Sequence, residues 1–497
     1  MNKKIPIVLS VSGHRHLEKQ DLDILRSVVE EQIKALVLDC PNSPIKLLTC
    51  LAEGADQLCA EAALKLGLGL IVALPMELKE YKKDFEGDAL ARFEDLLSKA
   101  EKVVVAPCIE ESEKKDRDYY YRQADIYLAE HSHALLALWD GSAPKENGCG
   151  TAETVDFVLN YSYAHKDRCV KKDDGFVIHI LSHREGSTDA ESDAGTLRFL
   201  GDEALFKESI HKLDELNREG SDADKLSVEY GKKYHRLLML LAIIGTAIAI
   251  CFLLYDEVMI NGMLIALGIL LVAMFAAFKL AAKSHSHEKY IEYRVLAESI
   301  RVQNHLNRIG SDLEVSNFLD WSRRFDTPWI HKAMQTFVVM LSVDNSEDIS
   351  KDWIVDQQNY HEKAAAKTKK QIKHNKTIVS ISVIASVTIY IFALIFEYGL
   401  SFHLTVQQAE LIRVIIKITI GGLSAASLFA ANYYGKLSLN RVYEDHIKMA
   451  EFFKKSQDYV LRFGVSEELI KELVNEELSE NSNWYSYEKD NEIDLTL

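Results

Sequence analysis

Four uninterrupted apolar stretches in the back half of this 497-residue chain constrain its fold more than any other feature. Residues 237–255 and 258–278 hold no charged side chain and are separated only by Asp256 and Glu257. Residues 377–396 and 418–435 repeat the arrangement after a long polar gap. A helix rises about 1.5 Å per residue, so about 20 apolar residues cross a hydrocarbon core of about 30 Å. The stretches read as four transmembrane helices in two hairpins, joined to long cytoplasmic helices.

Charge sets the expected orientation. Lys232, Lys233 and Arg236 precede the first stretch, and Lys279 and Lys283 follow the second. Lys367, Lys369, Lys370, Lys373 and Lys376 precede the third, and Lys436 and Arg441 follow the fourth. The hairpin loops carry Asp256, Glu257, Glu397 and Glu410 instead. The positive-inside rule then puts both termini and the central region in the cytoplasm of a multi-pass protein. Arg413 and Lys417 dissent on the outer side. They suit snorkelling or a polar path, and their place near a helix end favours snorkelling.

The front of the chain is different. Apolar runs at 5–11, 45–51, 69–74, 102–107, 134–139 and 176–181 read as buried parallel strands. Helical patterns lie between them near 19–38, 55–66, 86–99, 118–131 and 151–164. This alternation predicts an α/β, doubly wound, Rossmann-like parallel sheet over 1–183, with ligands bound beyond the carboxyl ends of the strands. The N-terminal apolar run is too short for a signal peptide and fits a first strand. Residues 184–230 read as a linker and helix, 231–310 as the first hairpin with its cytoplasmic helix, and 311–350 as a cytoplasmic connector. Residues 351–475 then form the second hairpin with its helix, and 476–497 an acidic tail. An internal match supports duplication. Tyr290, Ala297 and Glu298 recur as Tyr443, Ala450 and Glu451, offset by 153 residues.

Composition narrows the partners. A net charge of −17 argues against a nucleic acid held by phosphate neutralisation. Seven scattered cysteines without a CxxC pair make neither a disulfide framework nor a zinc site. The pairs His14/His16, His131/His133 and His285/His287 lack a third ligand in sequence reach, so no metal is expected.

Chemistry gathers where strands end. The first strand ends in Ser12, Gly13, His14 and Arg15, and the second in Glu53, Gly54, Ala55 and Asp56. The third ends at Pro75, followed by Tyr81, Asp84 and Phe85. The fifth ends in Asp140 and Gly141, and then Gly148, Cys149, Gly150, Thr151, Ala152 and Glu153 open a helix. Glycine lets a backbone approach a phosphate, helix-start amides favour an anion, and Arg15 adds a forked permanent charge. Arg122, on the helix before the fifth strand, is within reach of the same crevice. Singly, each cluster is more often a turn or a solvated charge; four at one edge of one sheet point to a phosphate-bearing nucleotide. His14 suits a phosphate contact.

These motifs carry a resemblance. Ser-Gly-His-Arg at 12–15, Ala-Glu-Gly-Ala-Asp at 52–56, Leu-Pro at 74–75 and Gly-Cys-Gly-Thr-Ala-Glu at 148–153 make residues 5–183 similar to the SLOG superfamily. That superfamily joins LOG-type phosphoribohydrolases with nucleotide-sensing relatives. The resemblance would give Arg122 and Glu153 a catalytic role in N-glycosidic hydrolysis, although Glu146-Asn147-Gly148 replaces the family's Pro-Gly-Gly and the loop 142–147 is longer. The back half resembles SLATT-type two-helix membrane effectors of bacterial conflict systems. Together the resemblances imply an antiviral-defence effector in the bacterial inner membrane. Its cytosolic domain would sense a nucleotide-derived signal made by an upstream enzyme, such as a cyclic nucleotide or an ADP-ribose-like molecule, with no other cofactor. The alternative they imply is a membrane-tethered nucleotide N-glycosidase.

The spans add one expectation. Gly421/Ala425 and Gly422/Ala426 suit close helix packing, and the polar set Ser380, Ser382, Ser386, Thr388, Thr419, Ser424, Ser427 and Asn432 suits a lining. Four helices are too few to enclose a wide pore, so a conducting state calls for a homo-oligomer.

Overall fold

A computed structural model of the chain describes all residues except 1–3, 110–111, 113–114, 145–148, 161–174, 187–192, 321–325, 342–345, 347, 401–403 and 491–497. The chain divides into two units. One comprises Met1–Ala223 and Ser299–Val343, the other Asp224–Glu298 and Asp344–Leu497.

The first unit is built on a seven-stranded sheet. Its elements are β1 (Ile7–Gly13), α1 (Leu22–Asp39), β2 (Ile45–Thr49), α2 (Ala55–Lys65), β3 (Gly69–Leu74), α3 (Gly87–Ser98), β4 (Lys102–Val105), α4 (Arg117–Glu130), β5 (Ala134–Trp139), α5 (Thr151–Asn160), β6 (Phe176–Leu181), β7 (Leu197–Gly201) and α6 (Glu203–Glu219). The strand order is β4-β3-β2-β1-β5-β6-β7. Neighbours run parallel throughout, except that β7 pairs antiparallel with β6. All six strands expected from the sequence form. Continuous burial of β1 and β5 explains their apolar runs, since helices cover both faces of such a sheet. Successive residues point to opposite faces, so Val8, Leu48 and Ile71 pack on one side and Leu135, Ala137 and Trp139 on the other. Asp116 and Asp202 start α4 and α6 by accepting the Tyr119 and Leu205 amides at 3.1 and 3.0 Å.

Two features depart from the expected organisation. Residues 197–201, placed in a linker, form the antiparallel edge strand. Its side chains are mostly exposed and it ends at Gly201 with φ +95°, so it lacks the buried signature of the other strands. Residues 299–310, expected to end the first hairpin's cytoplasmic helix, and residues 311–343, expected within the separate connector 311–350, belong to the sheet unit. The helix Pro328–Val339 contributes Val339 to the face bearing Val8 and Leu48. Polar links hold this segment. Lys332 Nζ donates to the Ser132 carbonyl at 3.2 Å, and Lys102 Nζ donates to the Val339 carbonyl at 2.6 Å. His131 Nε2 lies 2.9 Å from Glu314 Oε1. Burial lowers the Lys102 ammonium to about 8. Burial also opposes the charge on His131, but Glu314 outweighs it and raises the imidazole.

The helices of the second unit are α7 (Ala223–Val258), α8 (Gly262–Ser284), α9 (Ser286–Arg308), α10 (Asp356–Ile395), α11 (Val406–Lys436), α12 (Leu439–Phe463) and α13 (Glu467–Asp490), except that Ala223 and the part of α9 from Ser299 onward belong to the first unit. Four helices, α7, α8, α10 and α11, are long and apolar enough to cross a membrane, and almost none of their apolar length is buried against protein. Side chains such as Ile265, Val272, Ile384 and Leu428 stand exposed, as suits helices solvated by lipid. Gly421 supports the packing expectation, because a Cβ there would fall 2.6 Å from Leu253 of α7. The two dissenting cations are paired. Lys417 lies 2.9 Å from Glu257 and Arg413 2.8 Å from Glu397, so the acidic loops balance them. Residues 476–490, read as part of a tail, complete α13, where Glu477 accepts the buried Trp353 indole N–H at 2.6 Å. The repeat has a backbone counterpart. The spans α8 and α11 are followed by left-handed breaks at His285 (φ +45°) and Ser438 (φ +43°), which stand at the same sequence offset as the Tyr and Ala-Glu matches.

The Glu314–His131 pair predicts a pH-dependent contribution from the late segment. A raised histidine stabilises fully below its unfolded value of about 6.5, and that stabilisation fades as pH rises through the folded value. Glu314→Gln should therefore lower stability by about 1–3 kcal/mol at pH 5.5 and by less at pH 9. Thermal unfolding of the detergent-solubilised chain at both pH values checks this; an equal loss at each would reject the pair.

Candidate functional site

The order of strands creates the site. Chain direction across the sheet reverses at β1, whose neighbours are β2 and β5, so the loops leaving β1 and β5 diverge to opposite faces. Between them lies a crevice of about 550 Å³. Ser12, Gly13, His14 and Arg15 line it from the end of β1, Cys50 and Asp56 from the end of β2, and Gly150 and Thr151 from the start of α5. Asp118, Tyr121 and Asp125 face it from α4, Tyr81 from the turn after β3, and Arg184 from beyond β6.

Two glycines let the loops meet. A Cβ on Gly13 would sit 2.3 Å from the Ala55 Cβ. A Cβ on Gly54 would sit 2.2 Å from the Arg15 carbonyl oxygen, and Gly54 adopts φ +86°. The Ala55 amide donates to the His14 carbonyl at 3.1 Å across this contact. These glycines therefore seat protein backbone. Leu51, fully buried, holds φ +56°, a strained conformation for a bulky residue. Thr49 and Asp56 brace that turn: Thr49 Oγ1 accepts the Leu51 amide at 3.0 Å and donates to Asp56 Oδ2 at 2.9 Å.

The crevice has two electrostatic sides. Arg15 and Arg184 are exposed cations at its rim. The Arg15 guanidinium lies 4.9 Å from the Tyr121 ring centroid, and Tyr121 in turn donates to Asp84, which also binds Arg117. Asp56 and Asp125 form the other side. Burial raises Asp56 to about 6, against the pull of Thr49 and of the backbone amides. Burial raises Asp125 to about 7, opposed by Thr154 and the Gly150 amide and reinforced by Asp56. The Gly150 amide donates to Asp125 Oδ2 at 3.1 Å. A hydroxyl chain closes the floor, with Ser12 Oγ 3.3 Å from both Thr151 Oγ1 and Thr154 Oγ1. Burial lowers His14 to about 4, with Arg184 adding to the effect. Its Nε2 accepts the Asp140 amide at 3.0 Å, so the neutral ring is occupied in tying β1 to β5. Burial works against the Asp140 carboxylate, yet hydrogen bonds from Ser142 and the nearby Arg184 and His14 hold it below the usual range.

The expected site residues divide accordingly. Ser12, Gly13, His14, Arg15, Asp56, Gly150 and Thr151 come together around the crevice. Glu53, Gly54, Ala55, Pro75, Asp140 and Gly141 stand in the supporting loops and outside the lining. Arg122 lies over the Phe157 ring at 4.9 Å, and Glu153 is buried in the first turn of α5; neither lines the crevice. Gly148 lies outside the described residues. Asp118, Tyr121, Asp125 and Arg184 were not singled out from the sequence. The first three share helical spacing on α4, and Arg184 follows a strand end as Arg15 does. Among the described residues no cluster of three or more His, Cys, Asp or Glu is arranged to hold a metal.

Such a site can hold an anion against Arg15 while carboxyl groups contact hydroxyl or amine groups of the same molecule. Neither a protein-family model nor a curated protein matches the chain.

Two measurements probe this geometry. Gly67→Ala, with open space around φ +79°, should cost about 1–2 kcal/mol from the left-handed backbone alone. Gly54→Ala should cost more, because the loops must also separate; equal melting temperatures would reject the close approach. Asp125 holds a proton in the folded state that the unfolded chain releases between its ordinary value of 3.8 and about 7. Its contribution to stability thus falls as pH rises through that window and is constant above it. Asp125→Asn should raise the melting temperature at pH 8 and leave it nearly unchanged at pH 4; a gain confined to pH 4 would contradict the assignment.

Proposed function

We propose that the chain is a membrane effector of a bacterial conflict system, in which a nucleotide-derived anion in the crevice biases the apolar helices toward a permeable state. The observation that carries this reading is one crevice at the β1/β5 switch that joins Arg15, the Gly150–Thr151 helix start and the Asp56/Asp125 pair, in a chain with four helices fit to span a membrane. The rim cations suit phosphate. Carboxyl groups suit ribose hydroxyls or a base amine. The resemblance to SLOG and SLATT modules adds the defence context, the inner membrane and an upstream enzyme that makes the signal. The hairpins enter from a cytoplasmic head, and the permeable state is a homo-oligomer. Occupancy shifts the membrane part only as far as the ligand prefers one state of the chain over the other.

A nucleotide N-glycosidase is the second reading. Asp125, poised near neutrality beside a cavity, is the observation in its favour. It would then act in place of Arg122 and Glu153, which stand off the crevice. Release of free base from ADP-ribose or a nucleoside monophosphate, lost in Asp125→Asn, separates it from the effector.

The full chain in detergent, titrated with cyclic nucleotides and ADP-ribose by calorimetry, tests the effector directly. Arg15→Ala should weaken binding by about 1.5–3 kcal/mol, the scale of a charged hydrogen bond. In dye-loaded vesicles the same ligand should trigger leakage from the wild type. Ala426→Asp should abolish leakage with ligand affinity unchanged. Leakage that is indifferent to ligand would sink the reading.

A further inference from the structure

The helical unit contains a second hollow, of about 660 Å³, at the lysine-rich end of the third and fourth apolar stretches. This volume falls within the range of about 300–1,000 Å³ typical of small-molecule sites. Its lining changes chemistry at the edge of the apolar segments. Val379 of α10 and Ala431 of α11 lie inside the stretches expected to span. Lys376, Asn375, Asn440 and Arg441 lie just beyond them, and the hydroxyl-bearing Tyr434 and Tyr487 complete the polar part.

The positive charge of this hollow is poorly neutralised. Among the described residues Lys376 carries no ion pair. Arg441 meets only Asp445, at 4.0 Å, and lies 4.7 Å from the Tyr487 ring centroid. Between the two cations the chain turns at Ser438 into α12 with no side-chain cap on that helix start, and Ser438 and Leu439 also line the hollow. The other copy of the repeat lacks the arginine. Glu288 occupies the position in the first copy that Arg441 holds in the second.

We propose that this hollow seats the phosphate headgroup of an anionic phospholipid, with its acyl chains along the exposed apolar surfaces of α10 and α11. Charge complementarity selects the anion. The apolar lining at the depth of the spans selects a lipid over a soluble phosphate, since a free anion gains nothing from Val379 or Ala431. The bilayer's composition then acts on the second hairpin directly, through a site separate from the sheet crevice.

Native mass spectrometry of the full chain, extracted in mild detergent and titrated with dioleoylphosphatidylglycerol or dioleoylphosphatidylcholine, tests the proposal. The wild type should retain the anionic lipid about tenfold more strongly, and Lys376→Gln with Arg441→Gln should abolish the preference, as expected for two juxtamembrane cations. Equal retention of both lipids, or a preference that survives both substitutions, overturns it. Stabilisation of the wild type by inorganic phosphate as great as that by the anionic lipid also overturns it, in favour of a soluble anion. A photoreactive phosphatidylglycerol needs no variant: crosslinks should fall within 372–380 or 431–441, and crosslinks only elsewhere reject the site.

Discussion

The contact on which the sheet unit depends is the approach of two backbone turns at the carboxyl ends of β1 and β2. Gly13 meets Ala55 and Gly54 meets the Arg15 carbonyl at separations that leave no room for a Cβ. Once those turns touch, Arg15 is carried to the rim and the helix start at Gly150 faces it across the switch point. The strained Leu51 is tolerated because Thr49 and Asp56 saturate the turn around it. The polar chemistry of the crevice is therefore a consequence of steric economy in the loops beneath it. His14 illustrates the same division of labour, since its ring is spent on joining two strand ends.

The apolar helices of the second unit are suited to a different solvent. In hydrocarbon a backbone must satisfy its own hydrogen bonds, and long uninterrupted helices do so. The side chains that break the apolar rule are matched locally: Lys417 with Glu257, Arg413 with Glu397. The two left-handed residues after α8 and α11 let each apolar helix give way to a polar one without an intervening loop. That joint recurs 153 residues on, with Arg441 standing where Glu288 does, so the two breaks are alike in backbone and unlike in charge.

Much of this was legible in the residues. Parallel strands buried on both faces write themselves as apolar runs, so six strands and their helices followed directly. The edge strand β7 did not, because it is mostly exposed, short and flanked by glycines. Strand ends announced Ser12, Arg15, Asp56 and Thr151, since function at a switch point must come from those loops. Asp118, Tyr121 and Asp125 lie along one helix, from its first turn to its middle, where a polar stripe normally means a solvated face. Only knowledge of which face of α4 overlooks the crevice distinguishes them. The place of residues 299–343 was illegible for another reason: no local pattern encodes a contact between Glu314 and His131, far apart in the chain.

That late segment has a consequence for how the protein comes into being. The apolar face bearing Val8, Leu48 and Ile71 is completed by Val339, which follows α7 and α8 in the chain. The sheet unit therefore closes its core only with residues that come after those two apolar helices. A chain stopped before residue 299 would leave that face open to water, an exposed apolar patch of the kind that invites aggregation.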